Sequence, residues 1–197
     1  MGGPGTVQRE KESRWRDAQA WLLRCPCGIG EGMGSFVVRP VSFKEARRLC
    51  KDHPHVRTLP LSSKWYLVLY IDGKLCGLAV WGWGVRQRQT IQHLFNGAVS
   101  IDEYVELCRF FVYDWVPKNT ASRFLSTTHR LIKKYAPHVK VLYTYAAGFQ
   151  GLIGTIYQAA NYSYIGKKEC KAFFYVSGRG LLHAVSLWHH FEGRLGS

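Results

Sequence analysis

A strand–helix–strand pattern in the second half of the chain constrains the fold more than any other feature of the sequence. Residues 107–113 form a short apolar run typical of a buried strand, and residues 139–145 form another. Between them, apolar and small side chains recur at helical spacing from Asn119, a residue that favours helix starts, until Pro137 ends the pattern. A helix that joins two strands packs its apolar side on their sheet, so the pattern predicts an α/β fold.

The remaining patterns add further strands around this unit. Asp72, Gly73 and Lys74 join two apolar runs and give a strong hairpin signal. Two capping boxes, which begin at Ser42 and Ser100, mark helix starts. The order predicts a mixed α/β sheet with helices on both faces. The predicted strands are residues 36–39, 65–71, 75–81, 92–99, 107–113, 139–145, 171–177 and 181–188, with a short helix over 154–161.

The charge of the chain is high and unevenly placed. Its 197 residues include 27 Lys and Arg against 13 Asp and Glu, a formal charge of +14. Residues 115–168 contain no acidic side chain, and a one-signed surface raises the local concentration of anions and the rate of encounter with nucleic acid. Apolar residues make up 47% of the chain, which excludes a disordered basic tail. Nucleic acid is therefore the predicted partner, with an ordinary solvated face as the alternative.

The sequence divides into a short arm and one domain. Residues 1–34 are polar and then rich in Cys and Gly, whereas residues 35–197 carry the predicted elements. The N-terminus has no apolar signal core, and no apolar run approaches the roughly 18 residues of a transmembrane helix, so we expect a cytoplasmic protein without a membrane partner. The six cysteines fit free thiols in a reducing compartment, and a metal site at Cys25, Cys27 and His53 or His55 is the alternative.

Several short segments, in order along the chain, resemble the motifs of a known family. Residues 154–166 resemble the end of the GNAT acyltransferase core, where a short helix bears a tyrosine and is followed by an aromatic turn and a returning strand. The resemblance covers roughly residues 36–188. The segments that resemble the motif series of the phage Mom family are residues 106–110, 117–122, 143–146 and 154–159, extended by residues 53–60 and 182–187.

This resemblance implies a fold and a reaction. The fold is GNAT-like, with a mixed, mostly antiparallel central sheet flanked by helices on both faces. Mom-like proteins modify adenine in phage DNA and protect it from host restriction. The resemblance therefore implies an enzyme that transfers a small acyl- or carbamoyl-type group from a small-molecule donor to the exocyclic amine of adenine in double-stranded DNA. The host cell cytoplasm is the implied location.

Five residues are candidates for the chemistry. Tyr157 takes the position of the tyrosine in the GNAT-like helix and would give a proton to the leaving group. Arg109 interrupts an apolar strand, where a guanidinium should face a cleft and pair with Glu106 or a ligand anion, although strand alternation makes that pairing depend on a bulge. Glu106 is a candidate base or the partner of Arg109. His53 suits proton shuttling or metal binding, and Tyr145 ends a buried strand, where sheet folds place functional groups.

The donor site is predicted at the start of the crossover helix. Lys118, Asn119 and Ser122 can hold an anion at a helix N-terminus, and Phe111 on the preceding strand is a further candidate contact. The loop over residues 117–122 has no glycine, so it lacks the bare backbone cradle of an ordinary GNAT phosphate site. The cofactor stays unassigned, with an acyl-CoA-type donor and iron as the two candidates.

Two positions depart from the pattern of the family, and no ligand set for a metal is spaced along the chain. Ala147 and Leu152 stand where Mom-like proteins often carry Asp and His, so no role is carried over to them. Mom-like proteins have been associated with iron, for which this chain offers only scattered His, Cys and Tyr candidates.

A base inside duplex DNA must be flipped out before a catalytic residue can reach it. Trp83 lies between two glycines after a predicted strand, where its ring can stack on a base, and Arg86 and Arg88 follow as candidate phosphate contacts. The further basic residues predicted to contact DNA are Arg123, Lys133 and Lys134.

Two other functions compete with the modification of adenine. One is a GNAT-like N-acyltransferase that acts on a hypermodified pyrimidine in DNA or on another amine. The other is a GNAT-fold DNA-binding module without catalysis. Arg109 in an otherwise apolar strand, together with Tyr157, favours an enzyme over the binding module.

Overall fold

The computed structural model of the chain describes residues 35–53, 56, 58–84, 86–146, 153–167, 173–177 and 180–183. The chain forms two compact units, Met1–Tyr162 and Ser163–Ser197. The predicted arm over residues 1–34 lies outside the described residues, as do residues 184–188 of the last predicted strand. None of the helices among the described residues is long and apolar enough to span a membrane.

The first unit is built on one five-stranded sheet with the order β1-β2-β3-β4-β5. Its strands are β1 (Phe36–Pro40), β2 (Ser63–Ile71), β3 (Lys74–Gly82), β4 (Tyr104–Val112) and β5 (Val141–Tyr143). Strands β1 to β4 pair antiparallel, and β5 pairs parallel with β4. Asp72 and Gly73 have φ of 51° and 74° in the turn between β2 and β3, which confirms the predicted hairpin.

Helices cover both faces of this sheet, which confirms the predicted mixed α/β architecture. Helix α1 (Phe43–Asp52) packs Ala46 and Leu49 into one core cluster with Val68 and Leu78. The crossover helix α3 (Thr120–Tyr135) packs on the other face, where the second cluster includes Phe124, Leu125, Ile132, Leu67 and Leu69. The other helices are α2 (Gln87–Phe95) and α4 (Thr155–Ala159), and a short 3₁₀ helix spans Ile101–Glu103.

The helix starts follow the sequence signals in two of three cases. The Ser42 hydroxyl accepts a hydrogen bond from the backbone N–H of Glu45 at 3.2 Å, as the first capping box predicts. Ser100 and Glu103 form the second capping box, over the 3₁₀ helix. Asn119 does precede α3, but in the left-handed region at φ 66° and without a capping bond from its side chain.

One predicted strand is wrong. Residues 92–99 were expected to be extended, whereas Gln87–Phe95 form helix α2. Ile91, Leu94 and Phe95 have the spacing of one helix face, and Asn96 at φ 47° followed by Gly97 at φ 76° ends the helix in the left-handed region. The adjacent apolar residues Leu94 and Phe95 do not alternate, and the Asn-Gly pair after them is a helix stop signal, so the local pattern favours a helix.

Other predicted bounds shift by a few residues. The strand predicted over residues 107–113 begins earlier, at Tyr104, and the strand predicted over residues 139–145 is limited to Val141–Tyr143. In the second unit, β6 (Phe173–Val176) and β7 (Gly180–His183) form an antiparallel hairpin of their own. That hairpin confirms the two late strands where the structure describes them.

Candidate active site

A β-bulge in β4 decides which side chains share the face covered by α1. In the pairing of β3 with β4, Val80 lies opposite Arg109 but Trp81 lies opposite Leu107, so Cys108 is an extra residue on β4. Leu107 and Phe110 pack into the cluster under α3, whereas Cys108 and Phe111 pack into the cluster under α1. The bulge required for Glu106 and Arg109 to project from one face is therefore present.

Glu106 lies at the centre of a group of tyrosines, here named the Glu106 cluster (Tyr104, Glu106, Tyr143 and Tyr145). The Tyr104 hydroxyl donates a hydrogen bond to Oε2 of Glu106 at 3.2 Å. Tyr143 is the register partner of Glu106 on β5, and its ring lies 5.7 Å from that of Tyr104. Tyr145 follows β5 with its ring 4.8 Å from Tyr143, and at 45% exposure it opens the cluster to solvent.

Burial keeps the inner hydroxyls of the cluster protonated. It raises the pKa of Tyr104 well above the ordinary value for a phenol, and the neighbouring Glu106 carboxylate raises it further. Burial likewise raises the pKa of Tyr143, with added contributions from Tyr145 and Glu106. Both tyrosines therefore keep their hydroxyl protons at neutral pH and can donate hydrogen bonds.

The loop after β3 presses against the carboxylate of Glu106. Gly84 has φ 69°, and a Cβ at this position would collide with the Glu106 carboxylate. Trp83, one residue earlier, is 40% exposed and has the ammonium group of Lys64 5.4 Å from its ring centroid. The exposed indole of Trp83 therefore belongs to the residue just before the glycine that touches Glu106.

The sheet opens at the cluster. Strand β5 pairs only with Tyr104, Val105 and Glu106, and it ends at Tyr143. Among the described residues, no strand pairs with the remainder of β4 on that side. This break in the pairing lies at the carboxyl end of a short parallel strand, a common place for ligands in α/β sheets.

The guanidinium of Arg109 forms hydrogen bonds with the loop at Thr58. Its Nε donates to the carbonyl oxygen of Thr58 at 2.9 Å, its Nη2 donates to the Thr58 hydroxyl at 3.2 Å, and its Nη1 donates to the carbonyl of Cys108 at 2.7 Å. Cys108, which lies near both Arg109 and Glu106, has its pKa raised to about 11 by burial, so its thiol is protonated at neutral pH.

His53 and Phe111 lie together under α1. The His53 ring stacks on Phe111 at 4.0 Å between centroids, and Tyr113 lies 5.9 Å from the same imidazole. Phe111 is only 6% exposed. Two residues predicted for different roles, catalysis and donor binding, are therefore packed against each other.

Tyr157 lies on the α3 side of the sheet, unlike Glu106 and Arg109. Its ring packs against the cluster under α3 and lies 5.7 Å from the ring of Tyr162. The Tyr162 hydroxyl in turn lies 3.0 Å from Nε2 of His129 on α3. Gly154 brings the start of α4 close to Ala146, since a Cβ at Gly154 would contact both the Ala146 Cβ and the Tyr157 ring at 3.4 Å.

The predicted donor residues surround the start of α3. Lys118 and Asn119 are exposed, and the Ser122 hydroxyl donates to the carbonyl of Asn119 at 3.1 Å. The first turn of this 16-residue helix has no acidic side chain. An uncompensated helix N-terminus with an exposed lysine favours an anion.

The basic residues predicted to contact DNA lie on or beside helices α2 and α3. Arg86 and Arg88 are exposed around the start of α2, and Lys133 and Lys134 are exposed in the last turn of α3. Arg123, near the start of α3, instead lies over the ring of Phe36 at 4.3 Å.

Iron, one of the two cofactor candidates, needs a group of ligating side chains. Among the described residues, no group of three or more His, Cys, Asp or Glu side chains is close enough to hold a metal ion. Cys25, Cys27 and His55, from the alternative metal site, lie outside the described part of the chain.

Sequence patterns missed two members of the Glu106 cluster. Tyr104 was placed before the predicted strand over residues 107–113, and Tyr143 was placed in the strand over residues 139–145 without a role in the site. The spacing of Tyr104 and Glu106, two apart on a strand, was the available signal for a shared face. The contribution of Tyr143 depends on the register of β5 against β4, which no local pattern contains.

Comparison with known proteins shows the family. The Mom protein family matches residues 35–196, and the chain belongs to that family. Its sequence is similar to that of Methylcarbamoylase mom from Escherichia phage Mu, with 26% identity over 194 residues. That alignment covers 93% of this chain and 72% of the phage Mu protein.

Proposed function

We propose that this protein is a phage-type DNA-modifying enzyme that transfers a methylcarbamoyl or related small acyl-type group onto the exocyclic amine of adenine. Membership of the Mom family and the name of the phage Mu relative support a transferase of this kind. A formal charge of +14 supports a polyanionic substrate. GNAT-like acyl transfer agrees with the mixed sheet and its parallel β4–β5 pair.

The observation that carries the proposal is the position of Glu106. Its carboxylate accepts a hydrogen bond from Tyr104 and lies where β4 loses its pairing with β5. On the β5 side of Glu106 lies Tyr143, with the exposed ring of Tyr145 4.8 Å from it, and on the β3 side Gly84 touches the carboxylate. A half-buried carboxylate between aromatic surfaces suits a flipped base, which needs stacking and a proton acceptor together.

The proposed transfer of the acyl-type group to adenine requires two proton transfers. The adenine amine attacks the acyl carbon of the donor, a new N–C bond forms, and the bond from that carbon to the leaving group breaks with its electron pair. Glu106 takes the proton that the amine loses. Tyr157, on the α3 side of the sheet, gives a proton to the leaving group from across the gap between β4 and the end of β5. Because the lone pair of the amine is delocalised into the ring, positioning at attack distance supplies much of the rate.

The donor is proposed to bind along the free side of β4, with its anionic part at the start of α3. Lys118, Asn119 and Ser122 surround that N-terminus, and no acid in the first turn opposes an anion there. Phe111 is left out of this site because its ring is buried beneath His53. Arg109 then acts as a positioning residue, since it ties the Thr58 loop to the sheet.

The test is nucleoside mass spectrometry of DNA from cells that express the protein. Glu106→Gln keeps the shape of the side chain and removes the base, so we expect the modified-adenine signal to fall about 100-fold or more. Glu103→Gln is the matched control, because Glu103 lies three residues earlier at the surface and pairs with Lys140. We expect that control to modify DNA as the wild type does.

The same measurement separates the other functions. A mass shift confined to a modified pyrimidine would replace adenine as the target. If the wild type leaves DNA unaltered but binds duplexes in a salt-sensitive way, the protein is a DNA-binding module without catalysis. Equal modification by wild type and Glu106→Gln would remove Glu106 from the chemistry.

A further inference from the structure

Helix α2 separates its side chains into an inner apolar side and an outer polar side. Thr90 and Ile91 are buried, and Leu94 and Phe95 are half-buried. The residues on the outer side are all exposed: Arg88, Gln89, Gln92, His93 and Asn96. They follow helical spacing over eight residues, so they cover a stripe of about 12 Å on one side of the helix.

Along the sequence, no acidic residue lies within this stripe or in the loop before it, and Asp102 and Glu103 follow only in the 3₁₀ helix beside the start of α2. The chain has no acidic residue between Asp72 and Asp102, an interval that contains all of α2 and the loop before it. Arg86 and Arg88 are exposed at the start of the helix. Four of the outer side chains line one open depression of the surface, namely Arg88, Gln89, Gln92 and His93.

The chemistry of the stripe matches the edges of bases better than phosphate alone. Amide side chains such as Gln and Asn pair with the N6 and N7 atoms of adenine, and Arg pairs with O6 and N7 of guanine. A surface that only neutralised phosphates would need Lys and Arg, whereas three of the five outer residues of α2 are amides. An α-helix fits the major groove, which is about 12 Å wide.

The helix is fixed to the candidate active site. Nε2 of Gln87 donates to the carbonyl of Ile101 at 2.7 Å and to the carbonyl of Tyr104 at 3.4 Å. Gly84, which touches the Glu106 carboxylate, lies three residues before the helix begins. DNA bound on the outer side of α2 is therefore close to a base that reaches Glu106.

We propose that α2 is a recognition helix that lies in the major groove beside the target base. Gln89, Gln92 and His93 contact base edges and determine which flanking sequence is accepted, while Arg86 and Arg88 contact phosphates. This inference rests on the proposed function, because it assigns the sequence preference of the same DNA-modifying site.

The first test maps the sequence around modified bases in cellular DNA. Gln92→Ala and Gln89→Ala are expected to modify DNA while relaxing the preference at one or two flanking positions by roughly 5- to 150-fold, the discrimination given by one bidentate contact. Arg88→Ala is expected to reduce modification equally in all contexts, as the loss of a phosphate contact does. The matched control is Arg47→Ala, an exposed arginine on α1, which should change neither quantity.

The second test selects bound duplexes from a random pool and does not depend on the reaction. A preference in the wild type that Gln89→Ala or Gln92→Ala relaxes supports the recognition helix, even if no base is modified and the proposed function fails. A preference that both variants and His93→Ala retain overturns the inference, whether or not DNA is modified. Circular dichroism confirms that these exposed substitutions leave the fold intact.

Discussion

At the scale of single residues, Gly84 limits where the Glu106 carboxylate can lie. Its φ of 69° belongs to the left-handed region, and its missing Cβ leaves the space that the carboxylate fills. Two constraints thus meet at one glycine, one from the backbone and one from the neighbouring side chain. The two constraints can be separated experimentally, because other glycines have a left-handed backbone without a side chain in the place of a Cβ.

Gly84→Ala is expected to lower both stability and modification. The left-handed backbone costs an alanine about 1–2 kcal/mol, and the added methyl group displaces the Glu106 carboxylate. Since small displacements of a catalytic group reduce rates strongly, modification of DNA should fall by at least about 10-fold. Thermal unfolding and nucleoside mass spectrometry measure the two effects.

Gly73→Ala is the matched control for that change. Gly73 has φ 74° in the β2–β3 turn, and nothing lies within 4 Å of a Cβ built there. It should lose similar stability and retain the activity of the wild type. If both variants lose activity equally, the contact between Gly84 and Glu106 does not matter for function.

At the scale of elements, a half-buried hydrogen-bonded pair joins α3 to the segment that follows α4. Nε2 of His129 lies 3.0 Å from the Tyr162 hydroxyl, which comes directly after α4, and the His129 ring also meets Trp81 edge-on at 5.6 Å. Burial lowers the pKa of His129 to about 4, so the folded protein holds this imidazole neutral. The contact between α3 and this segment therefore depends on pH.

Stability should fall as the pH drops from about 6.5 to about 4. In this window the unfolded chain binds a proton at His129 that the folded chain excludes, so acidification favours unfolding. Above pH 6.5 His129 is neutral in both states, and its contribution to the free energy of unfolding no longer changes with pH. We expect the Tm of the wild type to fall by ~4–8 °C more between about pH 7.5 and pH 5 than that of His129→Gln.

An exposed histidine provides the comparison for that experiment. His93→Gln, on the outer side of α2, should keep the pH dependence of the wild type. Identical pH profiles for wild type and His129→Gln would show that His129 is not held neutral in the fold.

At the scale of the whole molecule, positive charge covers two helices that differ in their neighbours. Helix α3 carries Lys133 and Lys134 in its last turn, within the acid-free residues 115–168. Helix α1 carries Arg47 and Arg48 as well, but Glu45 and Asp52 lie on the same helix. The two pairs carry equal charge, but only the first lies in a stretch of sequence without acidic residues.

Binding of duplex DNA should weaken with salt in proportion to the phosphates contacted. Replacing Lys133 and Lys134 by Gln should reduce the slope of log K against log salt concentration by about 1.8, at about 0.9 for each lost contact. Fluorescence anisotropy with a labelled duplex between roughly 50 and 200 mM salt measures the slope.

Arg47→Gln with Arg48→Gln removes the same charge from α1 and should leave the slope unchanged. A reduction of equal size in both double variants would mean that only net charge acts. No reduction for the α3 pair would remove Lys133 and Lys134 from the DNA-binding surface.

The sequence by itself determined the positions of the helices and strands whose signals lie within a few residues, and it indicated the family. The hairpin at Asp72-Gly73, the capping boxes at Ser42 and Ser100, and the crossover helix that ends at Pro137 follow from backbone preferences and apolar spacing within a few residues. The motif series indicated the Mom family, which the comparison then showed over residues 35–196.

Only the tertiary structure decided which side chains meet. The bulge at Cys108 brings Glu106 and Arg109 to one face, and the β4–β5 register places Tyr143 beside Glu106, while Tyr157 packs on the opposite face. Bulges and registers depend on the partner strand, which lies tens of residues away along the chain, so a local pattern does not contain them. The chain therefore specifies its helices and strands locally, whereas the candidate site exists only once the strands are paired.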